Sequence, residues 1–236
     1  MIGLLEFYKL VSAKQIFPQK VTGIILGCII YLLILLTARG ILPKWSPVAL
    51  FPLLFIFFIV ELFRKMPEPM NNLAYGILSI IYIAVPLSLL NFFFDPVLNA
   101  AGNHPAILAG FLALVWVNDI FAYLTGILIG RHKLYERISP KKTWEGAVGG
   151  FIFTLISGWT LSLFIHDLTM DNWLVIAFIV VIFGTFGDLS ESLVKRKFNI
   201  KDTGNLLPGH GGILDRFDAL FFAAPSVYVY LLIIMA

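Results

Sequence analysis

Charge and cysteine are what this sequence has least of. Asp, Glu, Lys and Arg together make up 13% of its 236 residues, where an average soluble domain carries about 25%. Hydrophobic residues make up 59%, and the mean hydropathy is +0.91. A water-soluble chain of this length could not hide so much apolar surface, which excludes a soluble enzyme and predicts an integral membrane protein. Cys28 is the sole cysteine, so an internal disulfide and a cysteine-based metal site are both excluded. It reads as a small apolar residue of the first membrane helix. There is no internal repeat and no low-complexity tract. A cleavable leader is not expected either. The first apolar run begins at Val21, after a mixed segment holding Glu6, Lys9, Lys14 and Lys20, whereas a leader places its apolar core nearer the start and ends in a small-residue cleavage site.

Long apolar runs are what the chain has instead. A bilayer core of about 30 Å needs about 20 residues of apolar helix. Seven stretches qualify or nearly so: about 21–38, 47–63, 73–94, 105–129, 145–166, 172–194 and 214–235. The predicted fold class is all-α, a polytopic transmembrane helix bundle of about seven membrane helices. The length suits one transmembrane catalytic domain over 21–236. Residues 1–20 suit an amphipathic surface helix and a solvated leader equally well. The second run carries Pro47 and Pro52 and is open to tilting, breaking or partial re-entry. Pro86 and Pro225 are expected to kink their helices, which membrane helices tolerate when neighbours satisfy the freed carbonyls.

Basic residues set the orientation. With the N-terminus in the cytoplasm and seven crossings, fifteen of the Lys and Arg side chains fall on the cytoplasmic side and only Arg39 and Lys44 on the other. This is a strong positive-inside bias. It places the polar segments 131–145 and 195–214 in the cytoplasm, where a nucleotide would be found. The expected location is the inner (cytoplasmic) membrane.

The one long polar stretch is Ser192 to Asp218. It gathers Lys195, Arg196, Lys197, Lys201, Arg216, Asp202, Asp215, Asp218 and His210 around Pro208–Gly212. Cations on flexible stems, glycines that free backbone N–H groups, and carboxylates three residues apart are the parts that hold a phosphate chain and its metal. Asp215 and Asp218 share one helix face. A Mg²⁺ ion between them and neutralisation by Arg216 and nearby lysines are evenly weighted explanations of that pair. Asp188 and Glu191, at the end of the sixth run, shift the balance toward a metal. A charge at the bilayer centre costs about 2.5–3.5 kcal/mol, and less near the interface, so such acids are there for a partner. Glu191 can also pair with Lys195 one turn on. Asp119 lies deeper in its apolar run. It is a functional candidate by default, with pairing to Asn118 or a basic residue as the alternative.

The segment 131–146 is a second basic cluster. Ser139-Pro140 is a turn signal, after which Thr143 can cap the fifth helix with Glu145 in its first turn. Lys141 and Lys142 sit at that fixed entrance and could clamp a triphosphate or a lipid phosphate. Lys133 and Arg137 read as plain positive-inside charge. His132 and His166 are single and unplaced. Successive glycines at 209, 211 and 212 let the backbone approach an anion, and His210 between them could donate to a phosphate oxygen.

Residues 192–218 resemble the signature of phosphatidate cytidylyltransferases, the CDP-diacylglycerol synthases. Ser192, Lys195-Arg196, Lys201-Asp202, Gly204, Leu207-Pro208, His210-Gly211-Gly212 and Asp215-Arg216-Phe217-Asp218 fill every position of that pattern. Ile138–Gly146, Gly130-Arg131 and Gly187–Ser192 are similar to further family blocks, so the resemblance covers roughly the C-terminal half. The family often has Asp-Ser/Thr-Gly/Ala-Ala-Tyr where this chain reads Asp119-Ile-Phe-Ala-Tyr123.

The resemblance implies the reaction CTP + phosphatidate → CDP-diacylglycerol + pyrophosphate, with Mg²⁺ as cofactor. The lipid phosphate is then the nucleophile, and no protein nucleophile is needed. It implies Asp188, Asp215 and Asp218 as metal ligands. Lys195, Arg196, Lys201 and Arg216 become phosphate clamps, with Lys141 and Lys142 assisting. His210, Gly209, Gly211 and Gly212 line the nucleotide phosphate site, and Ser192 belongs to the substrate-binding set. Asp202 orients Lys201 or holds a second cation. The partners are CTP, phosphatidate and bilayer lipid. Nucleic acid is not among them, and there is room for a homodimer. Competing readings are a CTP-dependent lipid kinase, a cytidylyltransferase for another lipid phosphate, and a secondary transporter using Asp119 and Asp188. A transporter places its polar groups at the bilayer midplane, whereas here they crowd one surface. A membrane scaffold is weaker still, since it needs no buried acids.

Overall fold

A computed structural model describes residues 1–12, 16–94, 106–200, 202–204 and 211–235. Among the described residues the protein is all-α apart from one small β-ribbon. Among the described residues seven helices are long and apolar enough to cross a membrane: Lys20–Ala38, Ser46–Arg64, Pro69–Phe94, Ala106–Ile129, Trp144–Phe164, Met170–Lys197 and Leu214–Ile234. They lie within a few residues of the expected runs. Many of their large apolar side chains, Leu62, Phe63, Trp116 and Leu128 among them, are exposed. That pattern suits lipid as the solvent. The chain is an integral membrane protein.

The chain divides into two compact units, one of residues 1–92 and 194–217, the other of 93–193 and 218–236. The first contains α1 (Ile2–Ser12), α2 (Lys20–Ala38), α3 (Leu50–Arg64), α4 (Pro69–Ser79) and α5 (Val85–Leu89). Helix α1 packs against α2 and α4, with Leu4, Phe7, Tyr8, Leu10 and Val11 buried. The Tyr8 hydroxyl and the Ser79 hydroxyl share a hydrogen bond of 2.6 Å. Burial pushes the Tyr8 phenol up, with the Ser79 bond opposing.

The second run is not broken by its prolines. Pro47 sits in a 3₁₀ turn, Ser46–Ala49, that leads directly into α3. Pro52 falls in the first turn of α3, where proline's fixed φ is tolerated. Before Pro86 the helix widens into a π turn over Ile80–Ala84. Such a turn accommodates the clash and the lost donor of an interior proline.

The second unit contains α6 (Ala106–Ile129), β1 (Lys133–Tyr135), β2 (Ser139–Thr143), α7 (Trp144–Phe164), and most of α8 (Met170–Lys197) and α9 (Leu214–Met235). Helices α6 and α7 pack closely along small residues. A Cβ on Gly149 would lie 2.3 Å from Thr125 Oγ1, and Phe121 stacks on Phe153 at 3.9 Å between ring centres. The strands between them pair antiparallel, Lys133 with Thr143 and Tyr135 with Ser139. The turn therefore lies at 136–138, and Ser139-Pro140 belongs to β2. A two-stranded ribbon has only edge strands, which tolerate a proline.

Candidate active site

The ribbon fixes the entrance of α7. Thr143 caps the helix, accepting a hydrogen bond from the Gly146 N–H at 3.1 Å. Glu145 reaches back to accept from the backbone N–H of Arg131 at 3.1 Å and from that of His132. It also bonds His132 Nδ1 at 2.6 Å. These contacts close the neck of the ribbon and hold its lysines in place.

Within the second unit, α6, the ribbon, α7 and α8 enclose a cavity of roughly 530 Å³. Asp119 of α6 and Asp188 of α8 line it, as do Lys133, Lys141 and Lys142 of the ribbon. Lys142 forms an ion pair with Asp188, and the Ser192 hydroxyl donates to Asp188 Oδ1 at 3.4 Å. Asp218 of α9 joins the acidic group. Asp188 lies within electrostatic reach of both Asp119 and Asp218, and Lys142 of both as well. The close approach is built on Gly187, where a Cβ would lie 2.4 Å from the Asp218 carbonyl oxygen. Asp218 Oδ1 also accepts from the Ala219 N–H at 2.7 Å. Among the described residues no three Asp, Glu, His or Cys side chains are already gathered as a ligand shell.

Within the first unit, the signature residues gather around Asp215. Asp215, in the first turn of α9, accepts from Lys195 Nζ at 2.9 Å through Oδ1. Its Oδ2 accepts from the Thr203 N–H at 3.0 Å, the Thr203 hydroxyl at 3.0 Å and the Gly212 N–H at 2.7 Å. Gly211 is left-handed, with φ +79°. Asp215 is thus the brace of the turn leading into α9. Arg196, Asp202 and Arg216 are exposed. Lys197 lies over the Tyr75 ring at 5.5 Å. Lys201, Gly209 and His210 fall outside the described residues.

The structure thus brings Asp188, Asp218, Ser192, Lys141 and Lys142 into one neighbourhood, and adds Asp119, a candidate with no stated role, and Lys133. Asp119 faces the same cavity as Asp188. Lys133, read as plain positive-inside charge, lines it too. Its signal was its place at the foot of the ribbon, which is visible only once the strands are paired.

The sequence matches the cytidylyltransferase family over residues 1–234. It is 34% identical to a phosphatidate cytidylyltransferase of Staphylococcus haemolyticus over 238 aligned residues, 98% of this chain and 87% of the relative. The enzyme of that name from Staphylococcus aureus strain COL is 34% identical over 237 residues, with the same shares of both chains. The one from Thermotoga maritima is 41% identical over 158 residues, 64% of this chain and 56% of the relative. With the match running nearly end to end, the chain belongs to the cytidylyltransferase family.

Proposed function

We propose that the protein transfers the cytidylyl group of CTP to phosphatidate, giving CDP-diacylglycerol and pyrophosphate. The observation that carries this reading is the cavity of the second unit, where carboxylates of α6 and α8 face the lysines of the ribbon. A phosphate oxygen of the lipid attacks the α-phosphorus of CTP, and the bond from that phosphorus to the β-phosphate oxygen breaks. Two anions must meet, so the site has to cancel their repulsion and stabilise the departing pyrophosphate. Lys133, Lys141 and Lys142 supply fixed positive charge for the nucleotide phosphates. Lys142 exchanges its Asp188 partner for a phosphate as CTP enters. A cavity of this size suits a nucleotide.

The donor set also fits Mg²⁺. Asp119, Asp188 and Asp218 are oxygen donors close enough to feel one another's charge. Mg²⁺ takes one or two carboxylates plus substrate phosphates and water rather than a complete protein cage. When bound, the ion would neutralise phosphate charge and polarise the α-phosphoryl group. Asp119 and Asp188 are the ligands we favour, with Asp218 beside them. In the first unit, the exposed Arg196 and Arg216 are assigned to substrate phosphates, and Asp215 with Lys195 to holding the turn in shape, since Asp215 already takes the Gly212 N–H.

The Lys and Arg distribution along the sequence supports a cytoplasmic site on the inner membrane. The partners are CTP and bilayer phosphatidate. The test is purified protein in lipid with CTP, phosphatidate and Mg²⁺, following pyrophosphate and the liponucleotide. Formation of both only when lipid and metal are present supports the reading. CDP in place of pyrophosphate would make the protein a kinase and overturn it.

A further inference from the structure

Glu6 is an acid set in an apolar helix. Its neighbours Leu4, Phe7 and Tyr8 are buried, and Glu6 itself is only 9% exposed. A carboxylate so placed needs partners, and it has them 207 and 208 residues away. Oε1 accepts from the Ile213 N–H at 3.0 Å and Oε2 from the Leu214 N–H at 3.0 Å. These are N–H groups at the start of α9, which have no acceptor within the helix. A negative charge there also complements the helix dipole.

The fit around the carboxylate is close. A Cβ on Gly204 would lie 2.8 Å from Glu6 Oε1, and one on Gly212 would lie 2.6 Å from Oε2. Glu6 therefore fills a slot between two backbone segments that only glycine leaves open. On the other side of the same turn, Asp215 takes the Gly212 N–H and the Thr203 N–H and hydroxyl. The turn is held between two carboxylates, one from the signature and one from the first helix. The position of Glu6 is itself fixed. Phe7 packs against Tyr75 with ring centres 6.3 Å apart, and Tyr8 is bonded to Ser79.

We infer that Glu6 is a positioning residue of the enzyme. Helix α1 is the brace that sets the start of α9 and the glycine turn, and Glu6 is its point of attachment. Glu6 touches no substrate. It acts through the backbone of Gly212, Ile213 and Leu214. The kinetic part of this inference rests on the cytidylyltransfer reading, while the structural part does not.

The test compares wild type, Glu6→Ala and Glu6→Gln, purified in lipid, by hydrogen exchange and by steady-state kinetics with CTP and phosphatidate. In Glu6→Ala, exchange should speed up in peptides covering 211–217, while peptides from α2 stay as in wild type. The rate should fall by about 100-fold, the loss expected when a reacting constellation shifts by about 1 Å. KM for CTP should rise with it, because a mere loss of folded molecules lowers kcat and leaves KM alone. Glu6→Gln keeps the shape but turns one acceptor into a donor facing an N–H, so it should show a smaller change of the same kind. If Glu6→Ala does not fold, Glu6→Gln decides. Wild-type exchange in 211–217, or wild-type kcat and KM in the folded variants, overturns the inference. A wild-type protein that makes no liponucleotide would sink the proposed reaction, and the exchange data would still decide whether the clamp exists.

Discussion

Lys142 and Asp188 form an ion pair across the cavity of the second unit, one from the β-ribbon and the other from α8. Each side chain is more than a quarter exposed, 27% and 29%. Such a pair adds little stability, because water screens it. In the proposed reaction it keeps both charges in place until substrate arrives, when a phosphate would compete for Lys142 and release Asp188.

Replacing the lysine should therefore weaken nucleotide binding more than it weakens the fold. We expect Lys142→Met to raise KM for CTP by about 10-fold or more, as for loss of one charge-assisted contact. The melting temperature should move little. Steady-state kinetics with varied CTP and a thermal melt of the same sample check this. An unchanged KM would remove Lys142 from the phosphate site.

The carboxylates should behave as a set. We expect Asp188→Asn and Asp119→Asn each to cut turnover by about 100-fold or more, the scale set by losing one electrostatic contributor to a transition state. Both variants should stay folded in the membrane. The Mg²⁺ concentration for half-maximal rate should rise in each. Chelation by EDTA should abolish wild-type activity reversibly, with restoration by Mg²⁺. Full activity of Asp119→Asn at low Mg²⁺ would exclude it from the ligand set.

The membrane spans were legible in the sequence because lipid imposes a length that composition must meet. The cap at Thr143 was legible because a short polar side chain before a helix has one economical use. The ribbon was not legible. Ser139-Pro140-Lys141-Lys142 carries turn residues, and only pairing with 133–135 makes it a strand. Nor did sequence distance allow Glu6 to be tied to Leu214. The signature spelled out which residues gather near 192–218 without saying how they divide. Asp215 braces a turn in one unit, while Asp188 and Asp218 belong to the other. Spacing of three suggested a shared role for Asp215 and Asp218, and their hydrogen-bond partners differ: Lys195, Thr203 and Gly212 for Asp215, the Ala219 N–H for Asp218.

Away from the chemistry, Glu61 of the first unit is held by three side chains. It is buried and accepts from Gln19 at 2.7 Å, Arg64 at 2.8 Å and Asn72 at 2.9 Å. Asn72 in turn accepts from the Phe17 N–H at 2.8 Å. The cluster ties the segment before α2 to the turn between α3 and α4. Glu61→Ala would leave the buried amides of Gln19 and Asn72 without this acceptor. The expected cost is about 1.5–3 kcal/mol, the range for hydrogen bonds to a charged group. It should be read as a lower midpoint in a thermal or denaturant melt, with kcat at low temperature near that of wild type.

The Lys195–Asp215 pair makes a sharper test, because stability and activity should part company there. The two side chains are 15% and 11% exposed, and Nζ lies 2.9 Å from Oδ1. Removing one partner of a buried ion pair costs about 3–5 kcal/mol in fully buried cases and less here, since some water reaches both. Asp215→Asn also exchanges one acceptor oxygen for an amide that cannot accept from Thr203 or Gly212. Lys195→Met alone takes the cation from Oδ1 and leaves Oδ2 its bonds to Thr203 and Gly212. Lys195→Met with Asp215→Asn removes both charges, so its melting point should exceed that of Asp215→Asn even though it carries an extra substitution. Activity should not return in the double variant, because the turn still lacks the carboxylate that holds Thr203 and Gly212. Recovery of both stability and turnover would mean that only the charge balance mattered. No recovery of stability would mean that the ion pair contributes nothing to holding the turn.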